Sequence, residues 1–166
     1  MTLFQGFLFA HVIGAIIAFG PTFSFPIIGR LGAVERQHSS FATRLSKRLS
    51  EVQVVPFAIL QGITGVALIV VGSIDVMAHA WLMVGIALYV VALGFALFVQ
   101  TPTVKKIIEM TSGGPPAGPP PGAGGPPAGG PPPELMRLVR RVQLGGLFLM
   151  ALIVSIVFLM VVKPGA

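Results

Sequence analysis

Four apolar stretches without a charged residue constrain this chain more than any other feature. A helix needs about 20 apolar residues to cross the hydrocarbon layer, because lipid offers no hydrogen-bond partner to an open backbone group. Four stretches reach that length and contain no Asp, Glu, Lys or Arg: residues 3–28, 54–72, 81–100 and 142–162. The sequence therefore predicts an all-α protein with a single membrane domain, a four-helix transmembrane bundle.

The composition excludes the main alternatives to a membrane protein. Of the 166 residues, 54% are hydrophobic and only 10% are charged, whereas about 25% of the residues of an ordinary soluble domain are charged. This apolar excess excludes a soluble enzyme and a wholly disordered chain. The chain has no cysteine, which also excludes a disulfide scaffold.

Glycine and proline are concentrated in residues 113–133, a segment that contains only Gly, Pro and Ala. The segment lacks the glycine at every third position that a collagen helix requires, so we expect polyproline II and flexible turns. It is predicted to be a low-complexity linker in a cytoplasmic loop between the third and fourth spans. The alternative is that PxxP spacings, such as Pro116 to Pro119, dock a proline-binding module.

The basic residues predict the orientation of the bundle. Ten of the eleven lie on one side of the membrane, after the first span or between the third and fourth: Arg30, Arg36, Arg44, Lys47, Arg48, Lys105, Lys106, Arg137, Arg140 and Arg141. Only Lys163 lies on the other side. The positive-inside rule makes the basic side cytoplasmic and both termini external. We expect a multi-pass protein of the bacterial inner (plasma) membrane, with an uncleaved first span because no basic region precedes it.

The excess of basic residues also predicts the partners of the chain. The formal net charge is +6, and because these charges flank membrane spans we expect contact with the bilayer and with anionic lipid headgroups at its cytoplasmic face. Nucleic acid is not an expected partner, since the basic residues are not interleaved with aromatic ones. Residues 34–52 are predicted to form an amphipathic helix that either lies at the headgroup level or extends the spans into the cytoplasm.

Polar side chains within the spans mark candidate functional positions, because burying them in lipid is costly. His11 lies about 12 Å into the first span at a rise of 1.5 Å per residue. Three other polar residues are placed at a comparable depth by the same measure: Thr64, Tyr89 and Ser155. The sequence predicts that these four side chains form an intramembrane polar layer. The helix face that carries His11 also carries small residues that permit close packing, namely Gly14, Ala15 and Ala18.

This polar layer has two interpretations. It is either a set of interhelical hydrogen bonds or a site centred on His11, since neutral imidazole binds haem or a metal ion in a chain without cysteine. The cofactor would then be haem b or a metal ion. His79, at the outer edge of the third span, is the candidate second ligand. His79 next to Trp81 is also typical of a membrane-interface anchor.

The sequence shows no catalytic constellation, such as a carboxylate pair within a span or a phosphate-binding loop after a strand. The favoured interpretation is therefore a non-catalytic membrane protein that acts through helix packing or a partner subunit. A haem- or metal-binding protein centred on His11 is the alternative. Transport of a small solute by a homodimer is a third hypothesis.

The run FLFAHVIGAIIAFGPTFSFPIIGR, from Phe7 to Arg30, resembles the first span of bacterial four-span membrane proteins. It is similar to an uncharacterised family of predicted integral membrane proteins, and more distantly to copper-resistance D proteins and the four-helix protoporphyrinogen oxidase. Resemblance to the oxidase implies that His11 binds haem or porphyrin, together with a lysine shortly after a Trp-Leu pair that opens the third span. In this chain Trp81 and Leu82 are followed by Met83, Val84 and Gly85, with no lysine among them, which counts against oxidase activity.

Overall fold

The fold is described from a computed structural model that covers residues 2–112 and 132–165. The described residues form six α-helices and no strand: α1 (Leu3–Val34), α2 (Ser39–Leu49), α3 (Val55–Val71), α4 (Ala80–Phe95), α5 (Thr101–Ser112) and α6 (Pro133–Val162). This arrangement confirms the predicted all-α class. The predicted linker at residues 113–133 lies outside the described residues except for its last two positions.

Two π-helical segments join successive α-helices into longer rods. Ser50–Val54 connects α2 to α3, and Ala96–Gln100 connects α4 to α5. Four helices are consequently long and apolar enough to cross a membrane: Leu3–Val34, Ser39–Val71, Ala80–Thr111 and Pro133–Val162. The prediction of four membrane-length helices is confirmed. Three of the helices run well past the predicted spans, because the basic flanking segments continue the helix; the 34–52 segment extends the second span through α2.

The helices pack as two pairs. Helix α1 packs most extensively on α3, and α4 packs on α6, while a smaller contact between α1 and α6 joins the pairs. The short connection at residues 72–79 makes α3 and α4 consecutive, but each has its main contacts with another helix. A groove is therefore left between α3 and α4. Beyond the spans, α2 contacts α1 and α5, and α5 contacts α6.

Helix α1 continues through two internal prolines, Pro21 and Pro26. Proline has no N–H, so Pro21 cannot donate to the carbonyl four residues earlier, which belongs to Ile17. The side-chain amide of Gln53 donates to that carbonyl instead, at 3.1 Å. A side chain from a neighbouring helix thus supplies the hydrogen bond that the proline removes, as a low-dielectric environment requires.

Most large apolar side chains are exposed, although the buried residues include six large apolar ones, namely Leu68, Trp81, Leu82, Ile107, Leu152 and Ile153. Phe98 is 81% exposed, whereas Ala18 is fully buried. The buried polar residues of the described part are Thr22, Gln61, Thr64 and Thr103. Lipid solvates large apolar side chains as well as a protein core does, so helix association in a bilayer depends on small residues and interhelical hydrogen bonds. This distribution is the one expected of an integral membrane protein.

Candidate functional site

The candidate site lies where α1 packs on α3. The Nδ1 atom of His11 is 2.9 Å from the hydroxyl oxygen of Thr64, and the His11 ring also packs against the backbone at Gly65. Gly14 and Ala18, which lie on the same face of α1 as His11, are both buried. The structure therefore brings together His11 and Thr64, two of the four residues of the predicted polar layer.

The hydrogen bonds of Thr64 indicate which ring nitrogen of His11 carries the hydrogen. The single hydroxyl hydrogen of Thr64 is directed to backbone carbonyls of its own helix, those of Leu60 at 3.0 Å and Gln61 at 3.1 Å. With that hydrogen directed to its own helix, the hydroxyl oxygen is left to accept, and we assign to His11 the tautomer in which Nδ1 carries a hydrogen and donates. In the neutral ring the lone pair consequently resides on Nε2. A histidine held through Nδ1–H, whose Nε2 makes no hydrogen bond to the described residues, has the arrangement that metal-binding histidines commonly use.

Gln61 adds a third polar side chain to this interface. Its side chain is buried, with the whole residue only 7% exposed, and its Oε1 atom has no hydrogen-bond partner among the described residues. The oxygen lies against Gly14, where an added Cβ would be 3.0 Å away. His11, Gln61 and Thr64 thus form a polar cluster between α1 and α3, and one acceptor in it is unmatched.

Tyr89 lies beside this cluster but makes a separate contact. Its hydroxyl donates to the carbonyl of Ala58 at 2.8 Å, which bridges α4 to α3. Gly62 makes room for the phenol, because a Cβ at that position would lie 2.5 Å from the Tyr89 oxygen. Tyr89 therefore fixes α4 against α3 and has no hydrogen bond to His11.

Ser155 is not brought to the cluster. Its side chain is exposed on α6 and donates to the carbonyl of Ala151 in its own helix, at 2.9 Å. Depth along a span does not determine the face on which a residue lies, and Ser155 occupies the outward face of α6.

His79 and Trp81 lie together at the end of the bundle where α4 begins. The Nδ1 atom of His79 is 2.8 Å from the carbonyl of Asp75 and donates to it, and its ring contacts Trp81 edge to face at 6.0 Å. The Nζ atom of Lys163 lies 5.6 Å from the centroid of the Trp81 ring, within the range of a cation–π interaction. These contacts give His79 its own partners, separate from those of His11.

A metal ion bound by side chains alone needs several donor atoms close together. Within residues 2–112 and 132–165, no three residues of the types His, Cys, Asp or Glu come together as a metal-binding group. His11 is thus not part of a three-residue metal-binding group among these residues. One donor fits an axial haem ligand, for which the porphyrin supplies the remaining nitrogens, better than it fits a bare metal ion.

Three glutamines have interhelical roles that were not predicted from the sequence. Gln53 donates to Ile17, Gln100 donates to the carbonyl of Val142 at 2.9 Å, and Gln61 is buried at the α1–α3 interface. The signal that could have found Gln61 and Gln100 is an amide within an otherwise apolar run, which is costly to expose to lipid.

An open groove separates α3 from α4. It has a volume of about 380 Å³ and is lined by Ile59, Gly62, Ile63, Val66, Tyr89 and Leu93. The four residues from α3 recur at positions i, i+3, i+4 and i+7, which is one continuous face of the helix. Gly62 lies in the middle of this face, beneath the ring of Tyr89. The α3–α4 groove is therefore an apolar face with a small residue at its centre.

The region that matches a known protein family spans the first three membrane-length helices. Residues 7–114, about two thirds of the chain, match one protein family. Comparison with curated proteins and with solved structures gave no significant match. The matched region includes His11, Gln61, Thr64 and Tyr89. The chain belongs to the family described as predicted integral membrane protein (DUF2269).

Proposed function

We propose that this integral membrane protein is a non-catalytic subunit that acts by binding a transmembrane helix in the α3–α4 groove. The observation that carries the proposal is the groove itself, whose continuous apolar face on α3 leaves Ile59, Ile63 and Val66 exposed. Close van der Waals packing on such a face favours helix association in lipid, where no hydrophobic driving force exists. The incoming helix belongs to a partner subunit or to a second copy of this chain, in the bacterial inner membrane.

The proposal is tested by photocrosslinking in intact membranes. A photoreactive residue is placed at Ile63, in the groove, and a matched control is placed at Ile16, an equally exposed apolar residue on the outer surface of α1. We expect one defined protein adduct from position 63 and none from position 16. The size of the adduct distinguishes a second copy from another membrane protein. Adducts of equal yield at both positions, or lipid adducts alone at both, would refute the proposal.

A second candidate function is haem binding at His11. The observation that favours it is the hydrogen-bond arrangement at Thr64, which leaves the Nε2 lone pair of His11 available. A b-type haem bound there would supply redox chemistry, while His11 would hold the iron and Thr64 would orient the ring. His79 is the proposed second ligand, although its Nδ1 bonds to the Asp75 carbonyl and leaves only its Nε2 for iron.

Visible absorption of the detergent-purified protein after haem addition tests this second function. We expect a Soret band that is lost in His11→Ala and shifted in Thr64→Val, because Thr64 fixes the orientation of the ring. The His79→Ala variant reports whether a second histidine is involved, through a change of the band. If no Soret band develops in the wild-type protein with added haem, His11 is a packing residue only.

A further inference from the structure

A cleft with two chemically distinct ends opens between α6 and the segment where α4 passes into the π-helical turn. Its volume is about 660 Å³. One end is apolar and is lined by Phe95, Val99, Leu144, Gly145 and Phe148. The other end is basic and is lined by Arg137, Arg140 and Arg141. We call it the arginine cleft. It shares no lining residue with the His11 cluster or with the α3–α4 groove.

The floor of the arginine cleft is fixed by contacts between α6 and the α4 rod. The rings of Phe95 and Phe148 meet edge to face at 5.1 Å. The side-chain amide of Gln100, the last residue of the π-helical segment, donates to the carbonyl of Val142 at 2.9 Å. Gly145 allows this approach, since a Cβ there would lie 2.5 Å from the Gln100 oxygen. The cleft is therefore built into the fold and does not depend on an exposed loop.

The arginines of the cleft lack a carboxylate partner in the described part of the chain. The acidic residue of the first turn of α6, Glu134, pairs with Lys106 at 2.6 Å. The two ion pairs among the described residues, Lys47 with Glu51 and Lys106 with Glu134, include none of the three arginines. The sequence of residues 113–131 contains no carboxylate either. Three arginines thus line one cleft, and none of them is in an ion pair with a described carboxylate.

The depth of the two ends matches the two parts of a phospholipid. Arg141 and Phe148 are seven residues apart on α6, a distance of about 10 Å along the helix. The arginines immediately precede the fourth predicted span, so they lie at the headgroup level, and the apolar end lies at the level of the acyl chains. Leu144 and Phe148 remain 57% and 43% exposed, which leaves the apolar end open to the bilayer.

We propose that the arginine cleft is a specific binding site for an anionic glycerophospholipid. The phosphate lies among Arg137, Arg140 and Arg141, and one acyl chain lies along Leu144 and Phe148. Arginine suits this role because its planar guanidinium forms two parallel hydrogen bonds to phosphate oxygens. Basic pockets between transmembrane helices bind anionic headgroups in this way, whereas basic segments in general attract anionic lipid without a defined site.

Native mass spectrometry of the full chain in detergent tests the proposal with defined lipids. Phosphatidylglycerol and phosphatidylcholine of matched acyl chains are titrated separately. We expect one phosphatidylglycerol molecule to bind at least about tenfold more tightly than phosphatidylcholine. The triple variant R137Q/R140Q/R141Q is expected to lose this preference. The matched control R44Q/K47Q/R48Q, which removes three charges from α2, is expected to retain it.

Two further measurements distinguish a specific lipid site from a site for free phosphate and from unspecific lipid contact. Inorganic phosphate at millimolar concentration is expected not to displace the lipid, because it cannot occupy the apolar end of the cleft. A photoreactive phosphatidylglycerol with the label on its acyl chain is expected to modify α6 near Leu144 in the wild-type protein, a result that does not depend on the folding of any variant. Equal losses in the two triple variants, displacement by inorganic phosphate, or labelling spread over all four helices would each overturn the proposal.

Discussion

Gln53 supplies the hydrogen bond to the Ile17 carbonyl that Pro21 cannot form, with its amide nitrogen 3.1 Å from the carbonyl oxygen. We expect Gln53→Leu to lower the free energy of unfolding by about 1–3 kcal/mol, because a carbonyl in an apolar environment is left without a partner. Unfolding of the purified protein in mixed micelles, followed by circular dichroism, measures the loss.

The same contact predicts coupling between Gln53 and Pro21. In a Pro21→Ala background, the restored N–H of residue 21 can donate to Ile17, so Gln53→Leu is expected to cost distinctly less. An identical cost in both backgrounds would show that Gln53 stabilises the protein for another reason.

The polar cluster predicts different effects for two hydroxyl residues within the spans. Thr64→Val removes the acceptor for His11 and is expected to cost about 0.6–2 kcal/mol, the range of interhelical hydrogen bonds in membranes. Ser155→Ala is the control, because that hydroxyl bonds only within α6, and we expect almost no change. The unfolding free energies of the two variants decide the matter; a Ser155→Ala effect as large as that of Thr64→Val would contradict the assignment.

Close packing at Gly62 predicts a further coupling, with Tyr89. A Cβ at Gly62 would lie 2.5 Å from the phenol oxygen, so Gly62→Ala forces the ring to move and is expected to cost about 1–3 kcal/mol. Gly94→Ala is the matched control on α4, where an added Cβ meets nothing within 4 Å and helix propensity favours alanine.

The Gly62→Ala cost should be smaller when the phenol oxygen is absent. We therefore expect the double variant with Tyr89→Phe to lose less than the sum of the single variants. Strict additivity in the same unfolding measurement would show that the two side chains do not compete for space.

The ion pair between Lys106 and Glu134 predicts a pH effect outside the membrane. The hydrogen bond and the charge of Lys106 lower the pKa of the Glu134 carboxyl below its ordinary value. Because the folded-state pKa is the lower one, the pair stabilises the fold above the ordinary carboxyl pKa, and this contribution is lost as the pH falls through the lowered pKa. The side chains of Lys106 and Glu134 are 53% and 58% exposed, and solvent at such an exposed pair keeps the contribution small.

Carboxyl NMR of the labelled protein checks this shift. The pKa of Glu134 is expected to rise in Lys106→Gln and to stay low in Lys105→Gln, which removes a neighbouring charge without breaking the pair. A Glu134 pKa that responds equally to both substitutions would indicate general charge effects and no specific pair.

The absence of native cysteine allows a direct test of orientation. Met77→Cys lies in the connection between α3 and α4, which we expect to be external, and Glu109→Cys lies on α5, which we expect to be cytoplasmic. A membrane-impermeant thiol reagent should label position 77 in intact cells and position 109 only after permeabilisation. The reverse pattern would place the basic residues outside.

The number of membrane-length helices could be predicted from sequence because each span is an uncharged run longer than the bilayer requires. The ends of the helices could not, since α2 and the start of α6 carry basic residues that leave the bilayer without ending the helix. The charged residues of these segments are good helix formers, so hydropathy falls while the backbone continues unchanged.

The partners within the candidate site were predictable only in part. His11 and Thr64 were paired by depth, which is sufficient when both residues also lie on the faces that meet. Ser155 has the right depth and the wrong face, and Tyr89 reaches a backbone carbonyl of α3. Which face of a helix is turned toward its neighbours depends on which helices pack together. Neither span length nor hydrophobic periodicity predicts this for helices that are apolar all round.

The π-helical segment Ala96–Gln100 determines the rotational orientation of α5, the helix that follows it in the third membrane-length helix. A π-helical turn accommodates one residue more than an α-helical turn, so it offsets the angular register of α5 relative to α4 by about 100°. Deletion of a single residue there, such as the outward-facing Phe98, would restore a regular α-helix. The basic residues of α5 would then be rotated about the helix axis and would face a different direction. The pairing of Lys106 with Glu134 therefore depends on a one-residue insertion at the end of the third predicted span.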